Sequence, residues 1–452
     1  MNMLFGNPEL QRNLLLKISP LRLAALPIVA LVLYWLLQDN GQWKTSAPSF
    51  LTYFVMITAF LWGTYEAAGA FSDEIANNTW DFQRTSRISP FNLLIGKLLG
   101  ETAYMWCFAL LGLAFLSHVQ GPAFSVADTL MTALIAIGGH ATALFLGATD
   151  AAAQRETAYG RRRATFINFC GGLAVIWLLD SLATYAPKIP ALMSASFFHM
   201  TIDNTTFYLC SLLFFVFWIC VALYRAIQSA LSIPTAPVAW IAFLACLFVY
   251  IQGTFHTPMI ELATRKIGIV FLAASLFFSI VLVVIGWVLA LKESGDTGRY
   301  RRLIVALRQK NHRKALENAP LWIITAALAW IIVVFPLSQM RVTADHNMPA
   351  FTLALFLFCT RDMIVFHILR LNGNHGTFKT LLYLVVVYIL LPLAFNNQTS
   401  PAVRAWVHPT EPEHILTAAL PPLLYSLVAG GILAWMIRRK KTFNISSGTE
   451  KK

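Results

Sequence analysis

Arg361, Asp362 and His367 fall within one apolar run, CTRDMIVFHIL. Ionisable side chains at bilayer depth are costly and mark ion or proton paths by default. The trio therefore reads either as the relay of an ion-coupled secondary transporter or as a compensating ion pair. Adjacent residues on a helix do not face one another, so Arg361 and Asp362 are each expected to pair with a neighbouring span. A second group, His408, Glu411, Glu413 and His414 in HPTEPEH, offers the imidazoles and carboxylates a zinc ion takes. Its prolines break the i,i+4 spacing of a helical site, and a membrane-embedded lipid or glycan enzyme built on it is the weakest alternative. Nucleotide chemistry is missing. No G-x-x-x-x-G-K-[S/T] occurs, and NLLIGKL has the Gly-Lys without the first glycine or the hydroxyl. Neither a Ser-His-Asp arrangement nor G-x-S-x-G is present, so the chain is expected not to be an enzyme, and energy for transport must come from another chain.

The elements that would position these groups are apolar helices. Of 452 residues, 58% are hydrophobic and 12% charged, with a mean hydropathy of +0.64. About 20 apolar residues span a hydrocarbon core. Runs of this kind lie near 21–38, 50–71, 91–118, 127–148, 165–185, 205–228, 236–252, 267–291, 321–338, 349–371, 378–395 and 415–437. The expected fold is all-α and polytopic, with about 12 transmembrane helices and both termini cytoplasmic. Before the first run, Asn7 can cap a helix that has Pro8 at its first position and Glu9 in its first turn. Leu10, Leu14 and Ile18 recur at helical spacing, which predicts an amphipathic interfacial helix over residues 1–20.

A net charge of +13 invites a nucleic-acid partner, but its distribution argues for topology instead. With the N-terminus inside, 27 of the 34 Lys and Arg fall on the inner side, six outside, and Arg361 within a span. That is the positive-inside pattern of a cell inner (plasma) membrane protein. All six cysteines lie in apolar runs without CxxC, which reads as small buried hydrophobes rather than disulfides or a metal site. Glu101 lies deeper than Glu66 and Asp180 and is expected to face the bundle interior, while His140 packs beside its Gly neighbours. The chain divides into a six-span region at 21–228, a second at 229–441, and a tail at 442–452 expected to be disordered.

One polar segment stands out between the second and third runs, FSDEIANNTWDFQRTSRISPFNLLIGKLLG. Ser72 or Asp73 can cap a short helix, with Ile75 and Phe82 on one face and Trp80, Arg84 and Arg87 on another. Ser89-Pro90 restarts the next helix, and Gly96 and Gly100 form a small-xxx-small pair that admits a close neighbour. The helix would lie on the inner face and present Trp and Arg, frequent anchors of protein interfaces.

This stretch resembles the cytoplasmic coupling segment of ABC-2 type transporter permeases. The matching positions are Glu74, Thr79, Trp80, Asp81, Gln83, Arg84, Ser89, Pro90, Gly96 and Lys97, and with FGNPELQRNLLLKISPLRL the resemblance covers about residues 5–228. It implies a coupling helix at 72–90, with Arg87 also at the interface, seated on a separate cytosolic ABC ATPase subunit that binds ATP and Mg. It also implies a second permease copy or another membrane subunit, and export of an amphiphilic substrate through the lipid bilayer. The second inner loop, RRLIVALRQKNHRKALENAP, lacks the Trp-Asp signature and reads either as a basic surface helix or as a diverged second coupling element.

Overall fold

In the computed structural model, residues 6–38, 43–86, 88–153, 161–185, 196–198, 200–233, 235–262, 267–292, 297–339, 348–371, 376–391 and 415–446 are described. They are helical apart from one ladder of two two-residue strands. Nine described helices are long and apolar enough to cross a bilayer, or ten if Pro8–Lys17 and Pro20–Leu36, bent by 60°, count as one span. The expected run at 236–252 falls on the helix Val238–Leu262, and that at 378–395 begins in the shorter Gly376–Val385 and Val386–Leu390. Large side chains such as Trp177, Phe217 and Ile331 are exposed on these helices. Apolar surface of that extent suits lipid rather than water. The chain is a multi-pass membrane protein.

Two compact units divide it. The first holds residues 1–195 and 201–235; the second holds 196–200 and 236–452. Within the second unit, Phe197 packs against Gly253.

In the first unit, α1 (Pro8–Lys17), α2 (Pro20–Leu23) and α3 (Ala25–Gln38) precede a long helix. That helix is α4 (Trp43–Met56), a wider π-helical turn at Ile57–Trp62, and α5 (Gly63–Ala76). The short α6 (Trp80–Thr85) leads to α7 (Pro90–Ile95), a second π-helical turn at Gly96–Glu101, and α8 (Ala103–Gln120). Then α9 (Val126–Ala153) packs against α5, α10 (Arg161–Tyr185) and α11 (Asn204–Ala230).

In the second unit α12 (Val238–Leu262) packs on α13 (Ile267–Lys292). The short α14 (Thr297–Arg308) and α15 (His312–Asn318) form a hairpin before α16 (Leu321–Gln339). Next, α17 (Met348–Leu371) packs against α13, α18 (Gly376–Val385) and α19 (Ile415–Ser446). Helix α19 runs to Ser446, so it extends into the tail expected to be disordered.

Several expectations need correcting. Helix α5 continues past Ser72 and Asp73, so neither caps a new helix. It ends instead at Asn78 (φ 57°), with Thr79 N–H donating to Glu74 O at 2.9 Å and Asn78 N–H to Ile75 O at 3.1 Å. This is a Schellman terminus with Asn in place of the usual glycine. The break separates Ile75, which is partly buried, from Phe82, which is exposed. The cysteines are not buried: Cys170, Cys210 and Cys246 are exposed and the other three half-buried. The His408–His414 loop and Arg87 lie outside the described residues.

Candidate functional site: a buried ion-pair ladder under residues 77–89

The connection 77–89 is held from below. Trp80, expected to face outward, is buried, with its ring 5.3 Å from Phe71 in an edge-to-face contact. Leu93, Leu94, Leu144, Leu223 and Ile227 complete the cluster around it. The reason is long-range: an indole beside two polar neighbours looks like an anchor for a partner until helices 140 residues away supply its pocket. What α6 exposes instead is Asp81, Phe82 and Thr85, with Arg84 half-buried and bonded to Asp81 at 3.3 Å. Thr79 Oγ1 donates to Glu74 O at 3.2 Å, Ser89 Oγ accepts from Asn92 N–H at 3.1 Å, and Pro90 opens α7.

Beneath α6 lies a set of buried charges. Lys97, fully buried, places Nζ 2.5 Å from Glu74 Oε2, 3.5 Å from Glu9 Oε1 and 4.8 Å from the Phe71 ring centre. Gln83 Nε2 donates to Glu74 at 2.6 Å and to Glu9 at 3.3 Å. Arg12 pairs with Glu9 at 2.9 Å and with Glu74. Two turns away, Lys17 lies between Glu66 at 2.5 Å and Glu101 at 3.1 Å. Burial alone would lower the Lys17 pKa, but Glu101 and Glu66 outweigh it and hold it above the ordinary lysine value. As far as the lysine's own proton is concerned, the tie is fully present below that ordinary value and is lost as pH rises through the higher folded one.

The N-terminal helix closes the ladder. Glu9, Asn13 and Lys17, four apart, share the face turned to the unit, while Leu15 and Leu16 point away. Of the stripe, Leu10 is buried and Leu14 and Ile18 are half-buried, and the docked face adds the polar Glu9, Asn13 and Lys17. Two glycines make the approach possible. A Cβ at Gly96 would lie 2.7 Å from Glu9 Cβ and 2.9 Å from the Leu10 backbone nitrogen, and one at Gly100 would lie 2.7 Å from Asn13 Cβ. The sequence signal for Glu9, Asn13 and Lys17 was their i,i+4,i+8 spacing, matched by Lys97 and Glu101 at i,i+4. The more conspicuous leucines masked it.

Both helices that flank the segment contain a π-helical turn, a feature that gathers at functional sites. In the first, Gly63 N–H bonds Thr58 O. The Ala59 carbonyl, its partner in an α-helix, instead meets His140 Nε2 at 2.7 Å. A carbonyl only accepts, so Nε2 carries the proton. No Cβ fits at Gly63, because it would lie 2.8 Å from the imidazole Cε1. In the second turn, Gly96 O accepts from Asn13 Nδ2 at 3.1 Å, and Leu98 O from Thr102 Oγ1 at 2.7 Å. Each turn is therefore pinned by a polar side chain of another helix. At the far end of the same helices is a cavity of about 240 Å³ bordered by Thr52, Val55, Met56, Leu116, Asp128 and Thr132.

The second unit holds its own buried charge. Arg361 and Asp362 bond each other, with Nε and Nη2 donating to Oδ1 at 2.9 and 2.7 Å, and Asp362 also pairs with the next helical element, as expected. The long arginine side chain folds back over Phe358 and reaches its neighbour despite the helical spacing. Tyr383 donates to Asp362 Oδ1 at 2.6 Å and Tyr388 to Oδ2. Five residues apart, these tyrosines would diverge on an α-helix; the π-helical turn Val386–Leu390 brings both to one carboxylate. His367 lies apart, stacked on Trp322 at 4.8 Å with Nδ1 against Met363 O at 2.9 Å. The trio does not form a chain.

Comparison with family models, with curated proteins and with solved structures finds no match.

Proposed function

We propose that the chain is the membrane subunit of an ABC-2 type exporter, driven by ATP and Mg in a separate cytosolic ABC ATPase. The observation that carries this reading is the lever at residues 63–95. Its interior is tied by Glu74, Gln83, Lys97 and the Phe71–Trp80 contact. A π-helical turn bounds it at each end. A rigid body between two wider helical turns suits a part that is pushed from outside and passes the motion on. The push enters through Asp81, Phe82, Arg84 and Thr85, the side chains α6 leaves accessible, and not through Trp80. On this reading both termini and the basic loops are cytoplasmic, the membrane is the cell inner membrane, and α1 lies in its interface with Leu15 and Leu16 among lipid. Twelve spans then require α12 to cross, together with α3 and α18 as short or bent segments. The half-polar, half-apolar cavity supports an amphiphilic substrate, and a second permease copy or another membrane subunit completes the path.

Asp362 supports no relay. Its two oxygens already receive the Arg361 guanidinium and two tyrosine hydroxyls, which suits a fixed clamp on the turn at 386–390.

The test is purification of the tagged chain from its host in mild detergent. A stoichiometric ATPase with a Walker motif is expected, and Phe82→Ala with Arg84→Glu should release it while the chain stays folded and inserted. A chain that purifies alone and transports under an ion gradient overturns the proposal.

A further inference from the structure

Residues 297–318 connect α13 and α16, two apolar helices that pack side by side. Pro320 is the last residue before the apolar α16. The hairpin therefore sits at one end of a helix pair, at the level where bilayer headgroups begin.

Its inner side is fixed. Tyr300, Ala306 and Ala315 are buried, and Tyr300 OH accepts from Trp322 Nε1 at 3.0 Å. Arg299 donates to Asn318 O at 3.2 Å and to Ala319 O at 2.9 Å, and Arg301 donates to Ile437 O at 3.2 Å. The turn between α14 and α15 is a Schellman terminus at Lys310 (φ 54°), followed by Asn311 as the cap of α15. Arginine side chains are thus spent inside, on carbonyls, and the platform is rigid.

Its outer side mixes cations with aliphatic side chains. Arg308, Lys310, His312 and Lys314 are exposed, and so are Ile304, Val305 and Leu307, at 40%, 50% and 57%. Ile304 and Arg308, one turn apart, share a face. The hairpin's one carboxylate, Glu317, is bonded to Arg313. A protein partner would be expected to find an exposed aromatic anchor and few lysines. Here the one aromatic ring, Tyr300, is buried. Aliphatic side chains set among Lys and Arg at a membrane face are instead the composition that holds anionic lipid.

We infer that this hairpin is a docking platform for anionic phospholipid headgroups. Ile304, Val305 and Leu307 lie against the acyl-chain boundary, and Arg308, Lys310 and Lys314 meet the phosphates.

The full-length protein in neutral detergent is titrated with phosphatidylglycerol, phosphatidylcholine or glycerol phosphate, and amide exchange across 297–318 is followed. Phosphatidylglycerol is expected to slow exchange there, less so at high salt, while the other two leave it unchanged. Each cation near an anionic surface contributes about fivefold, so Arg308→Gln, Lys310→Gln and Lys314→Gln together should raise the midpoint on the order of 100-fold. Ile304→Asn with Val305→Asn, a change that spares the cations, should raise it too, with exchange elsewhere in the chain as the control for folding. Equal protection by phosphatidylcholine, or none by any lipid, overturns the inference. Protection by glycerol phosphate alone would mark a soluble-anion site and also overturn it. So would protection that appears only with a bound cytosolic protein.

Discussion

The two polar connections, 77–89 in the first unit and 293–320 in the second, begin alike and end differently. Each has a Schellman turn at a non-glycine residue, Asn78 or Lys310, and each has a short helix ahead of a proline that opens an apolar helix. In the first, cations and carboxylates from α1, α5 and the turn at 96–101 are matched pairwise beneath α6. In the second, cations outnumber carboxylates, and those not used on carbonyls face outward. Buried charge needs its partner, since an unpaired ion in a low dielectric costs several kcal/mol. Exposed charge needs none. One connection therefore rests on paired charges that depend on one another, and the other carries surface charges that act separately.

The sharpest way to break that contrast is to remove one ion from each. Lys97→Met removes the fully buried cation, leaves Glu9 and Glu74 to share Arg12 alone, and should destabilise the first unit by about 3 kcal/mol. Arg308→Met should change stability by less than about 0.5 kcal/mol. Thermal unfolding in detergent reads both, and similar losses would end the distinction. Next in size, Trp80→Ala should cost about 3–5 kcal/mol through its cavity, whereas Phe82→Ala should leave the melting temperature in place and act only on partner binding.

A smaller effect is expected at the glycines. Gly96→Ala drives a methyl toward the Leu10 backbone, which cannot yield as a side-chain tip can, and should cost about 1–3 kcal/mol. Limited proteolysis would then cut within residues 8–17. Gly430→Ala meets nothing within 4 Å and should be neutral or stabilising by up to about 1 kcal/mol. The smallest test joins the two connections instead of separating them. Asn78→Gly and Lys310→Gly each relieve a left-handed backbone and should stabilise by up to about 1 kcal/mol. A loss at either position would mean that its turn is not what terminates the helix.

Local chemistry was legible in the sequence. Asn7-Pro8 and Ser89-Pro90 start helices where their cap and first-turn geometry requires, and the Gly96/Gly100 pair lies against a close neighbour. Trp80 was misread because its pocket comes from Phe71, Leu223 and Ile227, which no local pattern links to it. Arg361 and Asp362 were expected to part because helical spacing separates their Cβ atoms, but a long guanidinium arm in apolar surroundings reaches the nearest carboxylate. The π-helical turns carry no composition signal. Their presence follows from what other helices offer, such as the His140 ring at Ala59.

The docking of α1 also sets an order of events during synthesis. Asn7 donates to the carbonyl of Asn92, 85 residues downstream, and Asn13 to that of Gly96, 83 downstream. At ~5–20 residues per second, the first helix waits about 4–17 s before the last of its partners leaves the ribosome. Until then Glu9 has neither Lys97 nor Gln83, and its carboxylate stays in water or at the headgroups. Helix α1 can thus dock once residues up to Glu101 are present, while the pocket of Trp80 still waits for Leu223 and Ile227.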